Sequence, residues 1–259
     1  MSDTISGGAD LMRARASRPT RFFVGLDLGQ SQDYTALAIL EHAPSQPGAT
    51  PRDRDQTFAV RHLERFPLGT SYPTIVTEVG LLVARPPLAG ACRIALDATG
   101  VGRAVTDLFR DAAKRPGVRS YGIAPGTVVA PDLALALSRQ ARQATVPPAI
   151  GAQIHAITIT GGDQVARDRQ DSRVPKRDLV GVVQALLQTG RLKIAPDLAL
   201  TATLTAELMN FRATISAAGR DSYGAGQDWR DGNHDDLVLA VALAAWDAQH
   251  GTTGWVRSY

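Results

Sequence analysis

The chain has 259 residues, of which 44% are hydrophobic and 20% are charged, a composition typical of a folded globular protein and unlike that of disordered or fibrous chains. Its net charge of +3 is too small to indicate nucleic-acid binding by itself, and its single cysteine excludes both an internal disulfide framework and a cysteine-rich zinc site. No segment approaches the ~20 apolar residues that a membrane-spanning helix needs, so we expect a cytoplasmic protein.

The first half of the chain predicts three consecutive strands, a crossover helix and a fourth strand. Short apolar runs separated by polar turns predict the three strands, and apolar residues at helical spacing predict the helix. A continuous apolar run predicts a fourth strand that is buried on both faces of a sheet, with a second helix after it. In chain order, these predictions are a flexible arm at 1–20, strands at 22–28, 35–41 and 56–66, a helix at 72–84, a strand at 91–96 and a helix at 103–113.

The second half of the chain predicts a fifth strand and three helices. Prolines interrupt the region before the strand, so we interpret residues 118–150 as an insertion that holds one helix at 133–142. The fifth strand is predicted at 154–160, with 120–124 as an alternative. The remaining predictions are a charged loop at 163–175, helices at 178–187, 198–211 and 235–249, a glycine-rich loop at 223–232 and a tail at 251–259. We interpret residues 21–250 as a single domain.

The apolar segments deliver aspartates at three distant points. Asp27 ends the first strand, Asp97 ends the fourth, and Asp235 and Asp236 open the last helix. Each aspartate also has an ordinary explanation, as a turn residue, a helix cap or a partner of the helix dipole. Carboxylates within about 4 Å repel by roughly 4 kcal/mol at an effective dielectric constant of 20, so a cluster of them requires protons or cations. We therefore predict a divalent-metal site with oxygen ligands.

The doubled aspartate at the start of the last helix raises a further question. A helix turns about 100° per residue, so Asp235 and Asp236 cannot point the same way. One of them would bind the metal, while the other would cap the helix or support its neighbour. The sequence does not distinguish the two.

Five cations lie close together in the charged loop before the helix at 178–187. They are Arg167, Arg169, Arg173, Lys176 and Arg177. Acidic residues are interleaved with them, so one interpretation is a solvated loop. The other is a surface that binds nucleic acid. No aromatic residue is interleaved for base stacking, so contact with backbone phosphates would be the mode of binding.

The ordered set of motifs resembles the nuclease domain of phage terminase large subunits. The set consists of GLDLG at 25–29, DYT at 33–35, LDATGVGR at 96–103, ITITGG at 157–162, VPKRDL at 174–179, ELMNF at 207–211 and GNHDDL at 232–237. Each motif is weak alone. Together they cover most of residues 21–247 in the order of the family.

The resemblance implies a metal-dependent endonuclease that cleaves double-stranded DNA during genome packaging. Catalysis would use two Mg²⁺ or Mn²⁺ ions, held by Asp27, by Asp97 and by Asp235 or Asp236. In that family the metals activate a water and stabilise the charge that develops on the scissile phosphate. Asp27 would bridge both ions.

The resemblance also implies an α/β, RNase H-like fold, in which helices flank a central mixed five-stranded sheet whose first three strands are antiparallel. Lys176 and Arg177 would contact the DNA backbone. The chain has no P-loop motif, so motor activity is not expected of it. The implied partners are double-stranded DNA, a separate ATPase motor, a small terminase subunit and a portal, in the cytoplasm of a bacterial host. The chain would be a separately encoded nuclease or a fragment of a larger terminase.

Two other functions remain open. Segments 26–29, 96–100 and 160–162 could imitate the phosphate and adenosine loops of an actin-like or sugar-kinase-like phosphotransferase that binds ATP. The two duplicated domains of that class would be cramped in this length, and the fold would leave Asp235 and Asp236 without a role. The other alternative is a catalytically silent DNA-binding module of a packaging complex, with structural aspartates.

Overall fold

The computed structural model describes residues 21–29, 33–43, 57–114, 150–168, 170–215, 221–224 and 235–250. The predicted arm, the tail, the helix at 133–142 and the alternative strand at 120–124 lie outside the described residues. Nearly all of the proposed insertion lies outside them as well. Within the described ranges, no helix is both long enough and apolar enough to cross a membrane.

The described ranges form ten strands and five helices. The strands are β1 (Arg21–Asp27), β2 (Ala36–Ala43), β3 (Thr57–Arg65), β4 (Cys92–Asp97), β5 (Gln153–Thr160), β6 (Ala166–Asp168), β7 (Asp171–Pro175), β8 (Leu192–Ile194), β9 (Arg212–Ile215) and β10 (Asp221–Gly224). The helices are α1 (Tyr72–Val83), α2 (Gly102–Lys114), α3 (Lys176–Gln188), α4 (Thr201–Asn210) and α5 (Asp236–His250). The first five strands and all five helices correspond to predicted elements.

The main sheet confirms the predicted RNase H-like arrangement. Its strand order is β6-β7-β5-β4-β1-β2-β3-β8. Strands β1, β2 and β3 are antiparallel neighbours, and β4 and β5 continue the sheet in parallel from β1. The five predicted strands therefore form the centre of the sheet in the expected order. The predicted number of strands was wrong, because β6, β7 and β8 extend the sheet to eight.

The prediction of a charged loop at 163–175 was also wrong. This segment contains β6 and β7, which pair as an antiparallel hairpin, and β7 lies parallel to β5. In β7, the buried Ser172 and Val174 alternate with the exposed Asp171 and Arg173, which is the period of a strand with one covered face. The high density of charge hid this alternation.

Two shorter strands fall where no strand was expected. Strand β8 has only three residues and pairs in parallel with β3. Strand β10 includes the first two residues of the predicted glycine-rich loop and pairs with β9; residues 225–232 of that loop lie outside the described residues. Elements of three or four residues are too short to show a hydrophobic period.

Helix α5 packs directly against one face of the sheet. Its side chains are buried from Asp236 through Asp247, which is the pattern of a helix surrounded by protein. The contact with β1 is so close that a Cβ atom added at Gly25 would lie 1.8 Å from the carbonyl oxygen of Ala240. Helices α1 and α2 cover the opposite face, with the apolar residues of β1 and β4 that point that way.

A buried polar chain fixes the C-terminal half of α5 to the sheet. Arg93 at the start of β4 donates from Nε and Nη2 to the two carboxylate oxygens of Asp247, at 2.9 and 2.6 Å. His155 Nδ1 lies 2.6 Å from the same carboxylate, and His155 Nε2 lies 2.9 Å from Ser172 Oγ. Because the helix meets the beginning of β4 at Asp247, its N-terminus lies at the other end of the sheet, where β1 and β4 finish.

Candidate metal centre

Asp27 and Asp97 lie side by side at the carboxyl ends of two neighbouring strands in the middle of the sheet. They end β1 and β4, which are adjacent parallel strands, so their carboxylates meet where the strands finish. Burial raises the pKa of Asp27 well above its ordinary value of 3.8. Neighbouring charges also act on it: the carboxylates of Asp97, Asp235 and Asp236 raise its pKa, and the ammonium of Lys176 lowers it. Carboxylates from the other two predicted points therefore act on Asp27.

A turn after β4 holds the Asp97 carboxylate in place. The backbone N–H and the hydroxyl of Thr99 both donate to Asp97 Oδ1, at 2.8 and 2.5 Å. The Thr99 hydroxyl oxygen in turn accepts a hydrogen bond from the backbone N–H of Ile159, at 2.9 Å. Burial raises the pKa of Asp97 from 3.8, while the Thr99 hydrogen bonds and Lys176 oppose that rise. Asp97, whose ordinary interpretation was a helix cap, therefore accepts hydrogen bonds within the turn before α2, and it does so through one carboxylate oxygen, Oδ1.

Glycines allow this turn to be tight. Gly100 has a φ of +58°, a conformation that L side chains adopt rarely. A Cβ atom at Gly102 would lie 2.1 Å from the carbonyl oxygen of Asp97. Helix α2 can therefore begin directly beside the carboxylate.

Asp235 and Asp236 point into different surroundings, as the geometry of a helix requires. Asp235 is about a quarter exposed, and its Oδ2 accepts a hydrogen bond from Lys176 Nζ at 2.9 Å. Asp236 is buried, with Oδ2 lying 3.0 Å from Arg65 Nη2. After Asp97, Asp235 has the larger effect of the two on Asp27. Asp235 is therefore the member of the pair that faces the carboxylate cluster.

A buried ion cluster supports the start of α5. Arg65 Nη2 pairs with Glu207 Oε1 as well as with Asp236, and its guanidinium lies 5.0 Å from the centre of the Tyr34 ring. The other oxygen of Glu207 accepts a hydrogen bond from the backbone N–H of Val238, at 3.0 Å. Burial raises the pKa of Glu207 from 4.5 to about 7, despite the favourable effects of that hydrogen bond and of Arg65.

Arg65 and Glu207 did not emerge as candidates from the sequence. One signal for Glu207 was present, because it lies three residues after the buried Leu204 and so shares the apolar face of α4. A charged residue on such a face requires a partner. Arg65 carried no signal of this kind, since it is the last residue of a strand at a polar turn.

The five predicted DNA contacts are placed differently from one another. Arg167 and Arg173 are exposed on β6 and β7, while Arg169 lies outside the described residues. Lys176 contacts Asp235 and so lies beside the carboxylates of the candidate metal centre. Arg177 pairs with Asp163 at 2.7 Å.

The carboxylate oxygens of the candidate centre are suitable ligands for a hard divalent cation, but these side chains are not arranged around one. Carboxylate oxygens are the ligands that Mg²⁺ prefers, and the crowded acids would gain from a cation between them. Lys176 supplies one positive charge, which lowers the pKa of both Asp27 and Asp97. As the side chains are placed, however, no three or more His, Cys, Asp or Glu residues in the described part of the chain form a group that could hold a metal ion. Binding would require carboxylates to rotate towards the ion.

Neither a protein-family model nor a curated protein matches the sequence. Among solved structures, the large terminase nuclease from thermophilic phage G20c matches with 17% identity and a TM-score of 0.49, over 91% of this chain and 86% of that one. The structure of that nuclease with bound magnesium matches with 20% identity and a TM-score of 0.48, over 88% and 82%. The HK97 bacteriophage large terminase matches with 16% identity and a TM-score of 0.32, over 89% of this chain and 40% of that one. All three structures are of phage large terminases or their nuclease domains, the family that the sequence motifs resemble.

Proposed function

We propose that the protein is a divalent-metal-dependent endonuclease that hydrolyses double-stranded DNA. The observation that carries this proposal is the convergence of Asp27, Asp97 and Asp235 at the carboxyl ends of β1 and β4, where burial and mutual repulsion raise the pKa of Asp27. Crowded, desolvated carboxylates at the carboxyl ends of parallel strands are costly to the fold, and such arrangements are typical of functional sites. A phosphodiester-hydrolysing metal centre accounts for them.

Within this proposal, Asp27, Asp97 and Asp235 would hold two divalent ions, Mg²⁺ or Mn²⁺. The bound metal would lower the pKa of a water molecule and stabilise negative charge on the scissile phosphate. Thr99 orients the Asp97 carboxylate through two hydrogen bonds. Lys176 serves as the counter-charge of Asp235 in the absence of metal.

Asp236 takes a supporting role in the proposal. Its carboxylate faces Arg65 and is buried beside Glu207, so it holds the first turn of α5 in place. Asp235, the preceding residue, is thereby presented to the cluster. Of the two adjacent aspartates, one would then bind the metal and the other would hold the helix that presents it.

The setting in genome packaging rests on the ordered motifs. Residues 21–250 would act as one nuclease domain on DNA. Its partners would be an ATPase motor, a small terminase subunit and a portal. The kinase-like alternative gives no role to Asp235, whereas that residue contributes directly to the charge around Asp27.

The Asp97→Asn substitution tests the proposal. We expect Mn²⁺-dependent cleavage of plasmid DNA to fall by more than about 100-fold, because even residues that only support metal ligands contribute about 10- to 100-fold. We also expect Mn²⁺ to raise the melting temperature of the wild type more than that of the variant. The control is Asp111→Asn, which removes an exposed carboxylate from α2. Undiminished cleavage by Asp97→Asn would overturn the metal-centre proposal.

A further inference from the structure

A groove of about 450 Å³ lies next to Asp97, between α2 and the outer strands of the sheet. Ala98, the residue after Asp97, forms part of its lining. One wall belongs to α2, and the other belongs to β6 and β7. One end of the groove therefore lies beside the end of β4, although the carboxylates of the candidate centre are not among its described lining residues.

Arginines line both walls of this groove. They are Arg103 and Arg110 on α2, Arg167 on β6 and Arg173 on β7. Arg110 pairs with Asp171 at 2.7 Å, which fixes its guanidinium against the opposite wall. Arg103 and Arg173 are exposed, and neither forms an ion pair with any residue that the structure describes. Asp107, Asp168 and Asp171 also line the groove, so the two exposed arginines, one on each wall, stand among aspartates.

The groove on the other side of the candidate centre differs in charge. It has a volume of about 460 Å³ and lies between Gly29, Thr35 and the start of α1, around Tyr72. The described residues of its lining include one acidic side chain, Asp33, and no lysine or arginine. All the arginines that line the two grooves therefore lie on the Asp97 side of the centre, where four arginines stand against three aspartates.

We infer that the arginine-lined groove binds the sugar-phosphate backbone of DNA on one side of the scissile phosphate, with Arg103 and Arg173 as phosphate contacts from opposite walls. The inference rests on the proposed nuclease function. Guanidinium groups match phosphate oxygens with paired hydrogen bonds, and each phosphate that they neutralise releases counterions. No described aromatic residue lines the groove, so the contacts would be independent of base sequence. Arg103 is the second residue of α2, lies six residues after Asp97, and was not among the predicted DNA contacts.

The test is the salt dependence of DNA binding, measured on the full chain with EDTA present so that no cleavage occurs. The probe is a short blunt DNA duplex, and the proteins are the wild type, Arg103→Ala and Arg173→Ala. Each substitution is expected to raise Kd and to lower the slope of log K against log salt by about 0.9, the value for one lost phosphate contact. The effect should be the same for duplexes of unrelated sequence. Arg103→Lys, which keeps the charge, should restore most of the slope.

The matched control is Arg85→Ala, which removes an exposed arginine beyond the C-terminal end of α1. Its salt slope should equal that of the wild type, and all variants should melt at the wild-type temperature. An unchanged slope for Arg103→Ala and Arg173→Ala, in a protein that cleaves DNA with Mn²⁺, would overturn the DNA-binding role of the groove and leave the proposed nuclease function intact. A reduced slope in a protein that never cleaves DNA would support DNA binding in the groove and overturn the proposed nuclease function.

Discussion

Ionisation of Glu207 should make the metal-free protein less stable as the pH rises from 5 to 8. Burial raises the pKa of this carboxyl from 4.5 to about 7 in the folded protein. The folded state therefore holds its proton more tightly than the unfolded state does. The resulting stabilisation is fully present below about pH 4.5 and is lost as the pH rises through 7.

The size of the effect follows from the two pKa values. The rise from 4.5 to about 7, at about 1.4 kcal/mol for each pKa unit, corresponds to about 3 kcal/mol of unfolding free energy. Most of that loss falls between pH 5 and pH 8. Solvent screens this charge little, because the Glu207 side chain is only 6% exposed. Asp27 and Asp97 titrate in the same direction, so a single curve cannot isolate Glu207.

The Glu207→Gln variant isolates the contribution. Glutamine keeps an oxygen that can accept the hydrogen bond from Val238, but it does not ionise. Urea denaturation in EDTA at pH 5 and pH 8 should show the wild type losing about 2–3 kcal/mol relative to the variant. The control, Glu64→Gln, removes a side chain that is 38% exposed on β3 and should follow the wild type. Parallel stability curves for the wild type and Glu207→Gln would refute this reasoning.

Three further predictions concern the carboxylate pair, the buried ion pair and the contact between α5 and β1. Asp235→Asn should abolish Mn²⁺-dependent plasmid cleavage at little cost in stability. Asp236→Asn should retain more cleavage but should lower the free energy of unfolding by about 1–3 kcal/mol in urea denaturation. Equal effects of the two variants in both assays would contradict their separate roles. Arg93→Met should cost about 3–5 kcal/mol by urea denaturation at pH 7, because it leaves a buried carboxylate without its cation, and a cost below about 1 kcal/mol would count against the pairing. Gly25→Ala should fail to fold or melt far below the wild type, while Gly151→Ala, whose Cβ would meet no atom within 4 Å, should melt normally; equal melting temperatures would show that α5 can move away from β1.

The central fold was predictable because long apolar segments carry a readable period. The run that became β4 is apolar except for Arg93 and is buried up to Asp97, β1 is buried at five of its seven positions, and β5 is buried at four of its eight. Strand β7 was missed because only its alternate positions are buried and charged residues occupy the rest. In β8, a parallel partner in β3 stabilises three residues that have no period of their own.

The candidate site was predictable only in part. Asp27 and Asp97 could be found because each directly follows an apolar run. The separate surroundings of Asp235 and Asp236 depend on Lys176 and Arg65, which approach from different elements. The pairing of Arg65 with Glu207 joins residues 142 positions apart, and no local pattern contains such information.

The backbone of α5 lies against Gly25 at two successive turns, at Ala240 and at Ala244. A slide of one turn, about 5.4 Å, would place one alanine where the other had been. The same slide would carry Asp247 away from Arg93 and His155 and leave the buried charges of Asp247 and Arg93 without these partners. The polar chain thus fixes the position of α5 along the strands. The first turn of α5 consequently lies at the same position relative to the strands in every folded molecule.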